Sequence, residues 1–91
     1  MSYYVYILRC GDDKNYYGFT NDLKNRLQEH RLGLVRSTKG RRPVKLVYYI
    51  KFGDKDRAVR YEKSLKNGKT RKEKIRALIQ NFPKSKLVEL G

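Results

Sequence analysis

Ninety-one residues carrying 23 Lys and Arg against nine Asp and Glu, a formal charge of +14, are enough for one domain around one core and too few for a second. Such an excess repels itself in a compact chain unless a polyanion neutralises it, which puts nucleic acid first among partners, while eight tyrosines, three phenylalanines and regular apolar spacing argue against disorder. One Cys and one His exclude an internal disulfide and a structural zinc site; no apolar run reaches the ~18 residues of a bilayer span, and the opening "MSYYVYILRC" lacks a secretory layout, so a cytoplasmic protein with no membrane partner is expected.

Residues 3 to 9, "YYVYILR", are aromatic and β-branched and end at the turn formers Gly11, Asp12 and Asp13, which reads as a strand entering a hairpin. Gly18 interrupts the return strand, "NYYGF", and implies either a bulge or a close approach to the backbone. Thr20, Asn21 or Asp22 can cap a helix from about Leu23 to Leu32, ended by Gly33. Its apolar stripe holds Leu23 and Leu27, but also Arg26 and His30.

A basic loop, "VRSTKGRRP", leads into "VKLVYYIKF", where Val44, Leu46, Tyr48, Ile50 and Phe52 alternate with Lys45, Val47, Tyr49 and Lys51 as a strand with one core face. Asp54 or Asp56 caps a second helix with Ala58, Tyr61, Glu62 and Leu65 on one face, and Gly68 ends it. Thr70 and Glu73 form a capping box for a third helix, whose Ile75, Leu78, Ile79 and Phe82 share a face until "FP" stops it. The predicted architecture is α+β: a small three-stranded antiparallel sheet flanked by helices, in the order β-β-α-β-α-α. Residues 1–83 form one domain and residues 84–91 a loosely docked tail.

Arg26 and Glu62 each place a charge on a helix face that should pack. A charge buried alone is costly, so three alternatives stand: a salt bridge between the two helices, snorkelling to water, or a polar pocket shared with several tyrosines. In such a pocket a carboxylate can hold a divalent cation and a guanidinium a phosphate, a pairing suited to phosphodiester chemistry. Phosphate contacts are expected from Arg36, Lys39, Arg41 and Arg42 in the loop and from Lys69, Arg71 and Lys72 at the start of the last helix. If about six phosphates are neutralised, affinity falls with salt along a log–log slope of about −5.

"YVY" at residues 4–6, "YYG" at 16–18, then "TNDLKNRLQEH", "RRPVKLVYY" and "AVRYEKSLK" resemble, in order and spacing over roughly residues 3 to 80, the motifs of the GIY-YIG nuclease family. The likeness is greatest to small stand-alone members akin to the N-terminal nuclease domain of the DNA-repair excinuclease. The resemblance implies a metal-dependent endonuclease; little sequence specificity is expected because a lone small domain offers few base-reading side chains, with DNA ahead of RNA as substrate and a monomer slightly favoured. Tyr6 and Tyr16 would flank the scissile phosphate, Arg26 would stabilise its charge, and Glu62 would ligate a single Mg²⁺ or Mn²⁺. His30 would sit near the attacking water or support Arg26, and Gly18 would serve the backbone. Whether Tyr6, Tyr16 or His30 takes the proton from water stays open, with Tyr16 slightly ahead. The alternative is a non-catalytic nucleic-acid-binding module of the same fold. Departures from the family pattern are Tyr4 in place of the first motif's glycine, Tyr17 inside the second, Phe19 after it, and no match for an asparagine beyond the glutamate.

Overall fold

A continuous run of aromatic and aliphatic residues near the start of the chain forms β1 (Tyr3–Arg9), which pairs antiparallel with β2 (Asn15–Thr20) and β3 (Lys45–Phe52) in the sheet order β2-β1-β3. The structure is a computed structural model that describes residues 1–69 and 71–90, with side chains through residue 87. The β1–β2 turn closes through Asp13 in the left-handed region, φ 63°, and through the Asp12 carboxylate, which accepts from the backbone N–H of Lys14 at 3.0 Å. Successive side chains of β1 point to opposite faces, and both faces are covered. Val5 and Ile7 pack with Tyr48 against Ala58 and Leu65 of α3 (Lys55–Leu65) and Ile75 of α4 (Arg71–Asn81). Tyr6 and Leu8 pack with Leu46 against Leu23 and Leu27 of α1 (Leu23–Arg31). Each aliphatic side chain buried this completely contributes roughly 1.5–3 kcal/mol.

The main elements follow the predicted order. Asp22 is the cap used by α1, its carboxylate accepting from the N–H of Asn25 at 3.2 Å, and Gly33 follows the helix at φ 78°. Asp54 caps α3, and Gly68 lies beyond its end at φ 112°. The cap predicted at Thr70 falls outside the described residues.

Three features depart from the sequence pattern. A short helix, α2 (Arg36–Lys39), interrupts the basic loop. Where the sequence predicts a tail, Lys84–Leu90 form a helix, α5, and Leu87 packs against the α1-side core. Pro83 ends one helix, yet its fixed φ and missing N–H are equally at home where the next begins. Finally, β3 does not keep one core face. Leu46 pairs with Leu8 while Tyr48 pairs with Ile7, so Val47 is an inserted residue. That bulge reverses the alternation: Val44 and Leu46 belong to the α1 side, and Tyr48, Ile50 and Phe52 to the α3 and α4 side.

Candidate active site

On the α1 side of the sheet, β1 and β2 set Tyr6 and Tyr16 next to each other, with ring centroids 6.4 Å apart. Tyr6 lies opposite Gly18 in a register that runs unbroken from Tyr4 and Thr20 to Arg9 and Asn15. A Cβ on Gly18 would come within 2.5 Å of both Cζ and the hydroxyl oxygen of Tyr6. Of the two readings of Gly18, close approach is therefore the one observed: the tyrosine ring lies across the neighbouring strand where a side chain would stand.

This placement carries the Tyr6 hydroxyl to α1, 2.9 Å from His30 Nε2, and His30 Nδ1 in turn lies 2.7 Å from the Thr38 hydroxyl on α2. His30 also meets both tyrosine rings edge-on, with centroids 5.7 Å from Tyr6 and 5.2 Å from Tyr16. His30 and Thr38 are fully buried and Tyr6 is 1% exposed. A neutral imidazole donates from one nitrogen and accepts at the other, so the Tyr6–His30–Thr38 chain satisfies every member. Burial, with a smaller contribution from the Arg26 charge, pushes His30 down to about 4, which keeps it neutral at pH 7. Burial likewise pushes Tyr6 up to about 12, against the pull of Arg26, while Tyr16 and Glu62 add to the rise. The sequence places His30 near the attacking water or beside Arg26. In the structure it is buried, both ring nitrogens are engaged by Tyr6 and Thr38, and the Arg26 charge acts on it.

Arg26 and Glu62 do not pair with each other. Arg26 donates to Glu29 at 3.2 Å, and Glu62 pairs with Lys66, each one turn away on its own helix. Such pairs on helix surfaces are worth about 0.3–0.5 kcal/mol and exchange readily. What Arg26 and Glu62 share is Tyr6. The guanidinium favours its phenolate and the carboxylate opposes it, although α1 and α3 cover opposite faces of the sheet. The salt bridge between the two helices is thus not formed, each charge being paired within its own helix.

Among the described residues, no group of three or more His, Cys, Asp and Glu side chains is gathered. Glu62, 15% exposed, offers a single hard oxygen donor that already accepts one cation, the Lys66 ammonium. That donor suits Mg²⁺ or Mn²⁺, since Mg²⁺ commonly keeps several waters and takes one or two carboxylates together with substrate phosphates.

The predicted phosphate contacts divide between two places. Lys39 and Arg42 border a shallow groove with Arg31 beyond the end of α1, and Arg36 is exposed on α2. Arg42 also donates from Nε to the Lys39 carbonyl at 3.1 Å. Arg41, Arg71 and Lys72 line a larger groove between the β1–β2 hairpin and α4, and Lys69 is exposed beyond α3. Arg9, Lys14 and Arg76, none of them among the predicted contacts, join that groove. Arg9 was accessible to inference, because it continues the Val5 and Ile7 side of β1. Thr38 was not, because a four-residue helix leaves no periodic trace.

A family model described as the GIY-YIG catalytic domain matches residues 2–76. A UPF0213 protein of Streptococcus pyogenes serotype M5 (strain Manfredo) is 42% identical over 84 residues, which cover 91% of this chain and 90% of that protein. A UPF0213 protein of Oceanobacillus iheyensis is 39% identical over 88 residues, covering 96% and 90%. The solution NMR structure of a UPF0213 protein from Bacillus halodurans is similar at a TM-score of 0.57 and 38% identity, covering 86% of this chain and 85% of that one.

Proposed function

The chain belongs to the GIY-YIG family, and from that membership and the surroundings of Tyr6 we propose that it is a divalent-metal-dependent endonuclease that hydrolyses phosphodiester bonds in nucleic acid, DNA ahead of RNA, with little sequence specificity. One observation carries the reading: within the stretch that the family model matches, the buried Tyr6 phenol is seated over Gly18, held 2.9 Å from His30, and set beside the half-buried Tyr16 with ring centroids 6.4 Å apart. Phosphodiester hydrolysis builds negative charge on the oxygens around phosphorus, and preorganised cations stabilise it. Arg26, about one-third exposed and paired with the neighbouring Glu29 carboxylate, can exchange that partner for a phosphate. Tyr6 is covered and protonated at neutral pH, so it orients Arg26 and leaves the attack on phosphorus to others. Tyr16, only half-buried beside it, is the phenol that reaches the attacking water and takes its proton. Glu62 would hold the ion, displacing Lys66. When bound, the ion supplies Lewis-acid stabilisation of phosphate charge and orients water.

The test is incubation with labelled duplex, nicked, branched and single-stranded DNA and RNA, with Mg²⁺ or Mn²⁺ and with chelator. Cleavage that needs the metal and is lost in Glu62→Ala and Arg26→Ala, with binding retained by Glu62→Ala, is the expected result. Binding without cleavage of any substrate would leave a nucleic-acid-binding module in its place.

A further inference from the structure

Resting on the nuclease reading, we propose that the groove between the β1–β2 hairpin and α4 is a second nucleic-acid site, which holds a single-stranded arm of the substrate as it leaves the active site around the edge of β2. The groove encloses about 780 Å³, with cations from three parts of the chain on its walls: Arg9 and Lys14 from the hairpin, Arg41 from the basic loop, and Arg71, Lys72 and Arg76 from α4. Among the described residues, Asp13 is its only carboxylate. Among those residues, too, just one of the six cations has an ion-pair partner: Arg41 is held by Asp12 at 2.8 Å. So dense an uncompensated cluster favours a polyanion over any neutral ligand.

The floor is aromatic and aliphatic, as a strand with bases requires. Arg71 donates from Nε to the Leu65 carbonyl at 3.0 Å and lies 5.4 Å over the Tyr17 ring, so its guanidinium is already ordered with its terminal nitrogens free of that bond. Tyr17, Ile75 and Ile79 contribute apolar surface to the groove lining. A basic track in which the Arg71 guanidinium, itself lying over Tyr17, offers a planar face to a base is suited to single strands without regard to sequence.

Topology links this groove to the active site. Tyr16 and Tyr17 are neighbours on β2, so their side chains leave opposite faces of the sheet, Tyr16 toward His30 and Tyr17 into the groove. β2 is an edge strand. A nucleic acid that touches both tyrosines must turn around that edge. Duplex DNA, with a persistence length of about 50 nm, does not make so tight a turn; a single strand does.

Fluorescence anisotropy in chelator, where hydrolysis plays no part, tests this with three DNA probes: a blunt duplex, the same duplex with a single-stranded arm, and the arm alone. The variants are Lys14→Glu/Arg76→Glu, both exposed groove residues, and the charge-matched control Lys51→Glu/Lys63→Glu at exposed sites elsewhere. The wild-type protein should prefer the armed duplex over the blunt one. The groove variant should lose about tenfold affinity for the armed duplex and the arm, with a salt slope shallower by about one to two, and match the control on the blunt duplex. An arm that adds no affinity in the wild type, or a groove variant that weakens all three probes to the same degree as the control, would overturn the proposal. Because binding is read without cleavage, an arm preference in a protein that never cuts would refute the nuclease reading and leave the groove standing.

Discussion

Gly18 and Tyr6 form one unit, because the ring of the second occupies the Cβ position of the first. Tyr6 cannot swing away at low cost, being 1% exposed and tied to His30. Gly18→Ala should therefore destabilise by about 1–3 kcal/mol, as overpacking does. In a double-mutant cycle of denaturant melts most of that cost should vanish when Tyr6 is alanine; independent, additive effects would contradict the contact. His30 gives a second prediction, on the acid side. Its ordinary pKa of 6.5 falls to about 4 in the fold, so between those values the unfolded chain takes up a proton that the folded site refuses. Its contribution to stability is complete above pH 6.5 and is lost as pH falls toward 4. Thermal melts across this window should show a steeper acid decline for the wild type than for His30→Gln, which cannot charge; parallel profiles would contradict a buried neutral imidazole. The sequence revealed that Arg26 and His30 sit on a packing face, since spacing alone shows that. It could not reveal their partners, which are chosen by β1 register and by a Thr38 delivered from a loop.

Elements were legible where periodicity was uninterrupted and illegible where one residue changed its phase. The Val47 bulge shifts half of β3 to the other layer, and nothing in "VKLVYYIKF" marks it, because every candidate residue there is apolar or aromatic except two lysines. Likewise, three neighbouring residues could each cap α1, and only coordinates separate them. Asp22 alone accepts from Asn25, and its carboxylate also sits at the positive end of the helix that carries Arg26 and His30. Asp22→Ala should cost about 1 kcal/mol in denaturant melts, while Asn21→Ala should cost little. Equal losses from the two would mean that the cap does not anchor the helix.

At the scale of the whole molecule, the sheet separates two tasks. The side facing α1 gathers Tyr6, Tyr16, His30 and Arg26; the side facing α4 gathers six cations in a groove. Composition predicted the polyanion and ordered motifs predicted the family, but neither showed that the basic residues split between two places, because loop and helix positions converge only in three dimensions. No helix among the described residues is long and apolar enough to cross a membrane. Glu62 stands on α3, and its charge adds to the rise in the Tyr6 pKa. The decisive measurement is single-turnover cleavage of one labelled DNA in Mg²⁺ by the wild type and by Glu62→Gln, which keeps the shape and removes the charge. Cutting should fall by about 100-fold or more in the variant, with affinity for the DNA unchanged; equal rates in the two proteins, or a wild-type rate indifferent to chelator, would rule out a metal held by Glu62.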